Sequence, residues 1–262
     1  MGPKTTDPGW NLLQKGADWL GLELTPVQVS QFAVYASELL VWNEKFNLTA
    51  ITDLEQIQIR HFLDSLTCFL GFPGVGRSRR PLSRLPSLEG VALMDVGAGA
   101  GFPGLPLAIA RPAMYLTLLE SVRKKTDFLD HVIRVIGLKE VSVITGRAED
   151  VARAHDHRER YDVVVSRAVA ELAVLVEYCL PFVKVGGRLI APKKADVKPE
   201  VDSAATAISI LGGAEATVLP VEIPGLLDRR SLVLVDKVRP TPLQYPRRAG
   251  FPSKRPLAGS PS

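Results

Sequence analysis

The sequence predicts an α/β fold built on a mostly parallel, doubly wound sheet, and three observations carry that prediction. Short runs rich in valine, isoleucine and leucine recur at residues 91–96, 115–119, 141–144, 161–166 and 188–191, with helical stretches between them. Near-continuous apolar strands alternating with helices point to a parallel sheet covered on both faces. The first strand runs into a glycine-rich turn, Asp95-Val96-Gly97-Ala98-Gly99-Ala100-Gly101, and the second ends in an acid, Glu120. A glycine turn at a strand end lets a ligand approach the backbone, and an acid at the next strand end accepts ribose hydroxyls.

Taken in order, residues 1–70 read as a helical N-terminal extension. Thr25-Pro26-Val27-Gln28 is a capping box with proline at the first helical position. Phe32, Tyr35, Leu39, Trp42 and Phe46 follow at helical spacing and mark a buried stripe. A second helix is expected over 53–69. Residues 71–90 combine glycine and proline with Arg77, Arg79, Arg80 and Arg84, and read as a basic loop or linker. The sheet domain occupies 91–236, with a helix over 122–136 ended by Gly137 and a last strand over 231–236. The basic, proline-rich tail at 237–262 holds six prolines and should be irregular.

At 46% hydrophobic and 23% charged residues, the 262-residue chain can fill a core, which excludes full disorder. Its two cysteines, Cys68 and Cys179, exclude a disulfide scaffold and a thiolate zinc site, and they suit a reducing, cytoplasmic compartment. No run of about 18 apolar residues suggests a membrane span, and residues 1–8 lack an apolar signal core. The net charge of +4 is unevenly placed. Six basic residues and no acid lie after position 236, so residues 1–236 carry 26 basic and 28 acidic groups. Such a concentration suggests contact with a polyanion or a solvated tail.

The motifs narrow the ligand. A dinucleotide fingerprint places its third glycine at position 102, which is Phe102, with Gly101 one place early. Gly97 and Gly99 therefore suit a nucleoside bearing a carboxylate and an amine better than a pyrophosphate. Glu120 lies 23 residues after Gly97 and supports a ribose. In Gly146-Arg147-Ala148-Glu149-Asp150, Glu149 or a nearby backbone group could meet an adenine edge, or the acids could simply complement a helix dipole. Arg167, in Ser166-Arg167-Ala168, could hold a carboxylate or phosphate, or form a surface ion pair. Asn43, Thr49, His61 and Asp64 cluster polar groups in the helical region. His61 and Asp64 lie three apart on one helix face, as a catalytic pair or a structural contact. Lys193 and Lys194 follow the fifth strand. His155-Asp156-His157 is flanked by Arg153, Arg158 and Arg160, which oppose a metal cation.

The pieces WNEKFNLTAI, RHFLDSL, MDVGAGAGFPGLPLAI, LLESVRKKTDFL, GRAEDV, VSRAVA, GGRLIAPK and TPLQYPRRAGFPSKRPL stand in this order. Through them the chain from Trp42 to Leu257 resembles the bacterial ribosomal RNA small subunit methyltransferase G family, also called glucose-inhibited division protein B. The resemblance implies a class I S-adenosylmethionine-dependent methyltransferase (Rossmann-like) fold of seven strands, the last antiparallel. It implies S-adenosyl-L-methionine as cofactor, no metal, and methylation of N7 of a guanine, position 527, in 16S ribosomal RNA, free or in the 30S subunit. Cofactor contacts carry over onto Gly97, Phe102, Ala148, Glu149 and Arg167, with Gly99 in the same turn and Glu120 on the ribose. Arg167, Asn43, His61 and Lys193 are expected to orient the reactants, because N7 carries a lone pair and no proton to remove. The chain departs from the family at Pro192-Lys193-Lys194, where lysine then glycine is usual, and the arginine-rich loop at 77–84 reads as an insertion. Two other readings compete: an NAD-dependent oxidoreductase, opposed by Phe102 and the long helical region, and a non-enzymatic RNA-binding module.

Overall fold

Alternation along each strand decides the layers. Leu93, Val163, Ile190 and Leu234 face one side of the sheet, and their chain neighbours Met94, Val164, Leu189 and Val235 face the other, all buried. The computed structural model describes residues 8–75, 88–194, 196–226 and 228–257; most of the basic loop, including its four arginines, lies outside them. The strands are β1 (Ala92–Val96), β2 (Tyr115–Glu120), β3 (Val141–Thr145), β4 (Tyr161–Val165), β5 (Val183–Lys194), β6 (Thr217–Val221) and β7 (Arg230–Asp236). They form one sheet in the order β3-β2-β1-β4-β5-β7-β6. Neighbours from β3 to β5 pair in parallel, and β7 is antiparallel to both β5 and β6. The seven-stranded, mostly parallel sheet with a reversed last strand is therefore present. Strand β5 runs well beyond the expected 188–191. Strand β6 was not located from sequence because Pro220 interrupts it; an edge strand tolerates a proline.

The helices are α1 (Asn11–Trp19), α2 (Pro26–Phe46), α3 (Leu54–Gln56), α4 (Asp64–Leu66), α5 (Gly104–Ala110), α6 (Arg123–Ile136), α7 (Ala148–Val151), α8 (Leu172–Cys179), α9 (Lys198–Ile210) and α10 (Phe251–Lys254). The capping box of α2 forms in both halves: Thr25 N donates to Gln28 Oε1 at 2.8 Å, and Gln28 N to Thr25 Oγ1 at 3.3 Å. The amide nitrogen of Gln28 also donates to the carbonyls of Ile109 and Ala110, so one side chain starts α2 and finishes α5. The helix expected over 53–69 is not uniform. Between α3 and α4 it widens into a π-helical stretch, Ile57–Leu63, and it ends in a 3-10 turn, Thr67–Gly71. Such widening commonly accompanies functional sites.

The N-terminal helices share the core of the sheet. The buried rings of Phe32, Tyr35, Phe62 and Phe128 belong to one cluster with Leu93, Leu105 and Leu118. Phe62 lies 4.9 Å from Phe32, 5.4 Å from Tyr35 and 6.1 Å from Phe102 between ring centroids. On the other face, α8 and α9 pack Val176, Ala204 and Ile208 against the sheet.

The tail is docked, which corrects the expectation of unopposed tail charge. Lys237 is buried, and its Nζ donates to Leu180 O (2.6 Å), Thr241 Oγ1 (2.7 Å) and Val183 O (3.2 Å), with Glu159 at 3.0 Å. Burial lowers its pKa to about 8, against the pull of Glu159. Arg247 forks onto the fully buried Glu177 through Nε (2.8 Å) and Nη2 (2.5 Å). Two of the six tail cations are thus paired against the body, because a buried charge, Lys237 in one pair and Glu177 in the other, needs a partner. Arg158 adds bonds to the carbonyls of Thr241 and Tyr245. The Lys237→Ala variant leaves Glu159 and two buried carbonyls short of a donor. It should lose about 3 kcal/mol in urea unfolding and expose 241–257 to limited proteolysis before the sheet; unchanged stability contradicts the anchoring role.

Candidate active site

The turn after β1 is shaped by contacts from behind. Gly97 N and Ala98 N both donate to Leu119 O, at 2.8 and 3.1 Å, which folds the turn over the end of β2. Gly97 has φ +72°, and a Cβ there would meet Val169 Cγ2 at 2.5 Å. Gly101 has φ +96°, and a Cβ would meet Leu105 Cδ1 at 2.5 Å and the Tyr35 hydroxyl at 2.7 Å. That hydroxyl donates to Ala100 O at 2.5 Å. Gly101 is therefore a glycine because α2 presses on the turn. The close helix–strand contact that a third fingerprint glycine provides falls to Gly104, where a Cβ would meet Leu118 at 2.7 Å and Asp95 at 2.9 Å.

Glu120 is buried at the mouth of β2. Its Oε2 accepts from Gly99 N at 3.0 Å and its Oε1 from Val122 N at 2.8 Å. A carboxylate has about four acceptor sites, so the fixed group keeps capacity for a vicinal diol. Beside it opens a cleft lined by Val96, Gly97, Leu119, Ala148, Glu149 and Tyr178. Glu149 is buried, and its Oε1 accepts from Gly250 N of the tail at 2.9 Å. Under the turn lies Asp95, fully buried. Its Oδ2 accepts from Gly104 N at 2.8 Å, while Oδ1 has no partner among the described residues. Burial raises its pKa to about 7, against the lowering effects of Gly104 and Arg167.

His61, Phe102 and Arg167 converge. The His61 imidazole stacks on Phe102 at 4.4 Å and 14°, and the Arg167 guanidinium lies over the same ring at 5.2 Å. Arg167 Nη1 donates to Asp64 Oδ2 at 2.9 Å and to Arg60 O at 3.2 Å. Asp64 Oδ1 accepts from Arg230 at 3.2 Å. Burial first, and Arg167 second, lower the His61 pKa to about 4, so the ring is neutral near pH 7. Its Nε2 is 2.8 Å from Thr49 Oγ1, and Thr49 N donates to Asn43 Oδ1 at 2.8 Å. Asn43 is thereby joined to the group through Thr49. His61 and Asp64 take different partners and share no hydrogen bond among the described residues, so they do not form a catalytic pair. Ala168, next to Arg167, has φ +58°, a conformation that residues with a Cβ seldom adopt.

Lys193 is placed apart from that group. Its Nζ donates to Glu200 at 2.6 Å and to Ala170 O at 3.1 Å, in a neighbouring depression that Val169 also lines. His155 is exposed and His157 bonds the Tyr161 hydroxyl; no metal-binding group occurs among the described residues. Sequence reasoning counted Tyr35 as core only, although a tyrosine in a buried stripe signals a hydroxyl needing a partner. Arg230 gave no signal, because it meets Asp64 across 166 residues of chain.

The donor set suits a cationic nucleoside. Glu120 suits a ribose, and the buried Asp95 under the turn, with one oxygen unpartnered among the described residues, suits an amine-bearing ligand better than a pyrophosphate. Together with the strand order and the reversed seventh strand, these features define a class I methyltransferase. Residues 28–226 match the family described as rRNA small subunit methyltransferase G. A protein called ribosomal RNA small subunit methyltransferase G from Roseiflexus castenholzii is 51% identical over 246 residues, covering 94% of this chain and 98% of that one. Its namesake from Dehalococcoides mccartyi is 48% identical over 247 residues, covering 94% and 99%. Among solved structures, a variant of MtNAS aligns with a TM-score of 0.51 at 18% identity, over 79% of this chain and 71% of that one, a likeness of fold alone. The chain belongs to the rRNA small subunit methyltransferase G family.

Asp95 makes a pH-dependent contribution whose sign follows from its raised pKa. The fold favours the protonated acid, so its stabilising effect is complete below the ordinary value of 3.8 and is lost as pH rises through about 7. Urea unfolding should find Asp95→Asn more stable than wild type at pH 8, by up to about 4 kcal/mol, with the advantage shrinking toward pH 5. A difference that does not vary with pH contradicts the assignment.

Proposed function

We propose that this protein transfers the methyl group of S-adenosylmethionine to N7 of a guanine in 16S ribosomal RNA, at the position numbered 527, within the cytoplasm and on RNA free or assembled in the 30S subunit. The observation that carries this reading is the clamped turn, Gly97 to Gly99 against Glu120, lying over the buried Asp95 in a member of this family. Gly97, Gly99, Glu120, Ala148 and Glu149 would hold the cofactor, Glu120 taking the ribose, with the carboxyl of Asp95 lying beneath the turn. When bound, the cofactor supplies a sulfonium-activated methyl group.

The protein's own residues then act by position and charge. Guanine N7 presents a lone pair without a proton, so no general base is required. His61, neutral at working pH, orients a reactant and exchanges no proton. Arg167, fixed by Asp64 and by the Phe102 ring, offers planar donors in a set orientation. Asn43 holds Thr49, which holds His61. Lys193, balanced by Glu200, borders the side from which RNA would enter. Holding two reactants in line is worth several orders of magnitude in rate without acid–base chemistry.

The NAD reading, which Glu120 alone would allow, is opposed by Phe102 in place of the third glycine and by Asp95 under the turn, and the RNA-module reading by the intact cofactor cleft. The deciding experiment is transfer of labelled methyl to 16S RNA and to 30S particles, with mapping of the modified base. Label on N7 of one guanine is expected, and thermal protection by S-adenosylmethionine but not by NAD. Glu120→Ala should weaken cofactor binding about tenfold to a hundredfold, the value of a charged hydrogen-bond pair. At saturating cofactor and RNA, kcat should stay flat from about pH 6 to 9. No label on either substrate, or an essential side-chain base in that profile, overturns the reading.

A further inference from the structure

The docked tail divides its cations. Lys237 and Arg247 face inward onto Glu159 and Glu177. Arg248, Lys254 and Arg255 are exposed, and none of the ion pairs found among the described residues involves them. Arg248 and Arg255 gather with Arg247 around Phe251, half-buried at the start of α10, with their guanidinium carbons 5.8, 5.8 and 5.0 Å from its ring centroid; Lys254 ends the same short helix. A ring that attracts cations on its faces holds long side chains that would otherwise be scattered. Two anchors just ahead of the ring, Arg247 on Glu177 and Gly250 N on Glu149, fix the start of the segment in place.

That place is the rim of the cofactor cleft. Glu149 and Tyr178 both line the cleft; Gly250 N donates to Glu149, and Ser253 of α10 lies near enough to Tyr178 to influence its hydroxyl. Arg147, exposed and also lining the cleft, adds a fourth cation. The nearby acids Glu149 and Glu177 are buried and engaged with the tail backbone and Arg247, and Asp150 alone of this group is exposed.

We propose that Arg248 and Arg255, ordered around Phe251, together with Lys254 of the same helix and Arg147, form a binding site for the phosphodiester backbone of the RNA substrate at the rim of the cofactor cleft. The proposal rests on the methyltransferase reading above and assigns the substrate grip to a definite patch. Planar guanidiniums match phosphate oxygens in pairs, whatever the base sequence. The site would therefore place the strand and leave choice of base to the group around Arg167.

The test compares wild type with the combined variant R248A/K254A/R255A and with the charge-keeping R248K/R255K. RNA binding is read by filter retention of a 16S fragment across a salt series, methyl transfer by label, and cofactor affinity by calorimetry without RNA. The alanine variant should raise the RNA KM at least tenfold and make the log–log salt slope shallower by about 2, as expected for three lost phosphate contacts on a single strand. Its cofactor affinity should stay within about twofold of wild type, and R248K/R255K should keep most of the wild-type slope. An unchanged KM and slope in the alanine variant overturns the site. So does loss of cofactor binding with the slope unaltered, which makes α10 a wall of the cleft, or loss of binding to phosphatidylglycerol vesicles with RNA binding intact. Wild type that binds the cofactor but labels no RNA defeats the functional reading, and this inference with it.

Discussion

Between Asp95 and Gly104 the backbone is held on every side. Tyr35 of α2 bonds Ala100 O, Leu105 fills the space behind Gly101, and Asp95 accepts from Gly104 N while leaving no room for a Cβ there. A turn can offer bare backbone to a ligand only if it does not collapse when the ligand is absent, and here packing from behind prevents collapse. The helices ahead of the sheet are therefore part of the site. The Phe62 ring meets Tyr35 and Phe102 together, so the same cluster that stabilises α2 also seats the ring on which His61 and Arg167 rest.

That packing fixes the electrostatics as well. Burial places two acids under the turn and keeps His61 neutral, while Arg167 and Arg230 share Asp64 across the top of the sheet. An ordered array of this kind costs stability, since a buried unpartnered carboxylate oxygen is unfavourable. It is the expected arrangement where a protein must favour positive charge in a ligand. Among the described residues His61 and Asp64 form no proton-transfer pair, in keeping with the proposed methylation of an atom that has no proton to give.

The tail shows how net charge can mislead. Read as composition, it is a basic run with nothing to oppose it. In three dimensions the half-buried Glu159 and the fully buried Glu177 engage two of its cations, and the carbonyls of Thr241 and Tyr245 meet Arg158. What stays outside is a smaller set of cations, ordered around one aromatic ring beside the cleft.

Local sequence was enough to determine the strands β1 to β4, the turn, the acid at its side and the caps of α2 and α6, because each depends on residues close in the chain. It also marked Arg167 and His61 as chemically loaded, and the resemblance supplied the seventh strand's direction. It did not reveal β6, whose proline is admissible only at a sheet edge, nor the π-helical stretch that sends His61 and Asp64 to different partners. It could not tell which tail cations are internal, or why position 101 is glycine. Those facts depend on contacts between residues 60 to 170 positions apart, such as Tyr35 with Ala100, Asp64 with Arg230 and Glu177 with Arg247. Only the folded core, which brings such residues within a few ångströms, decides them.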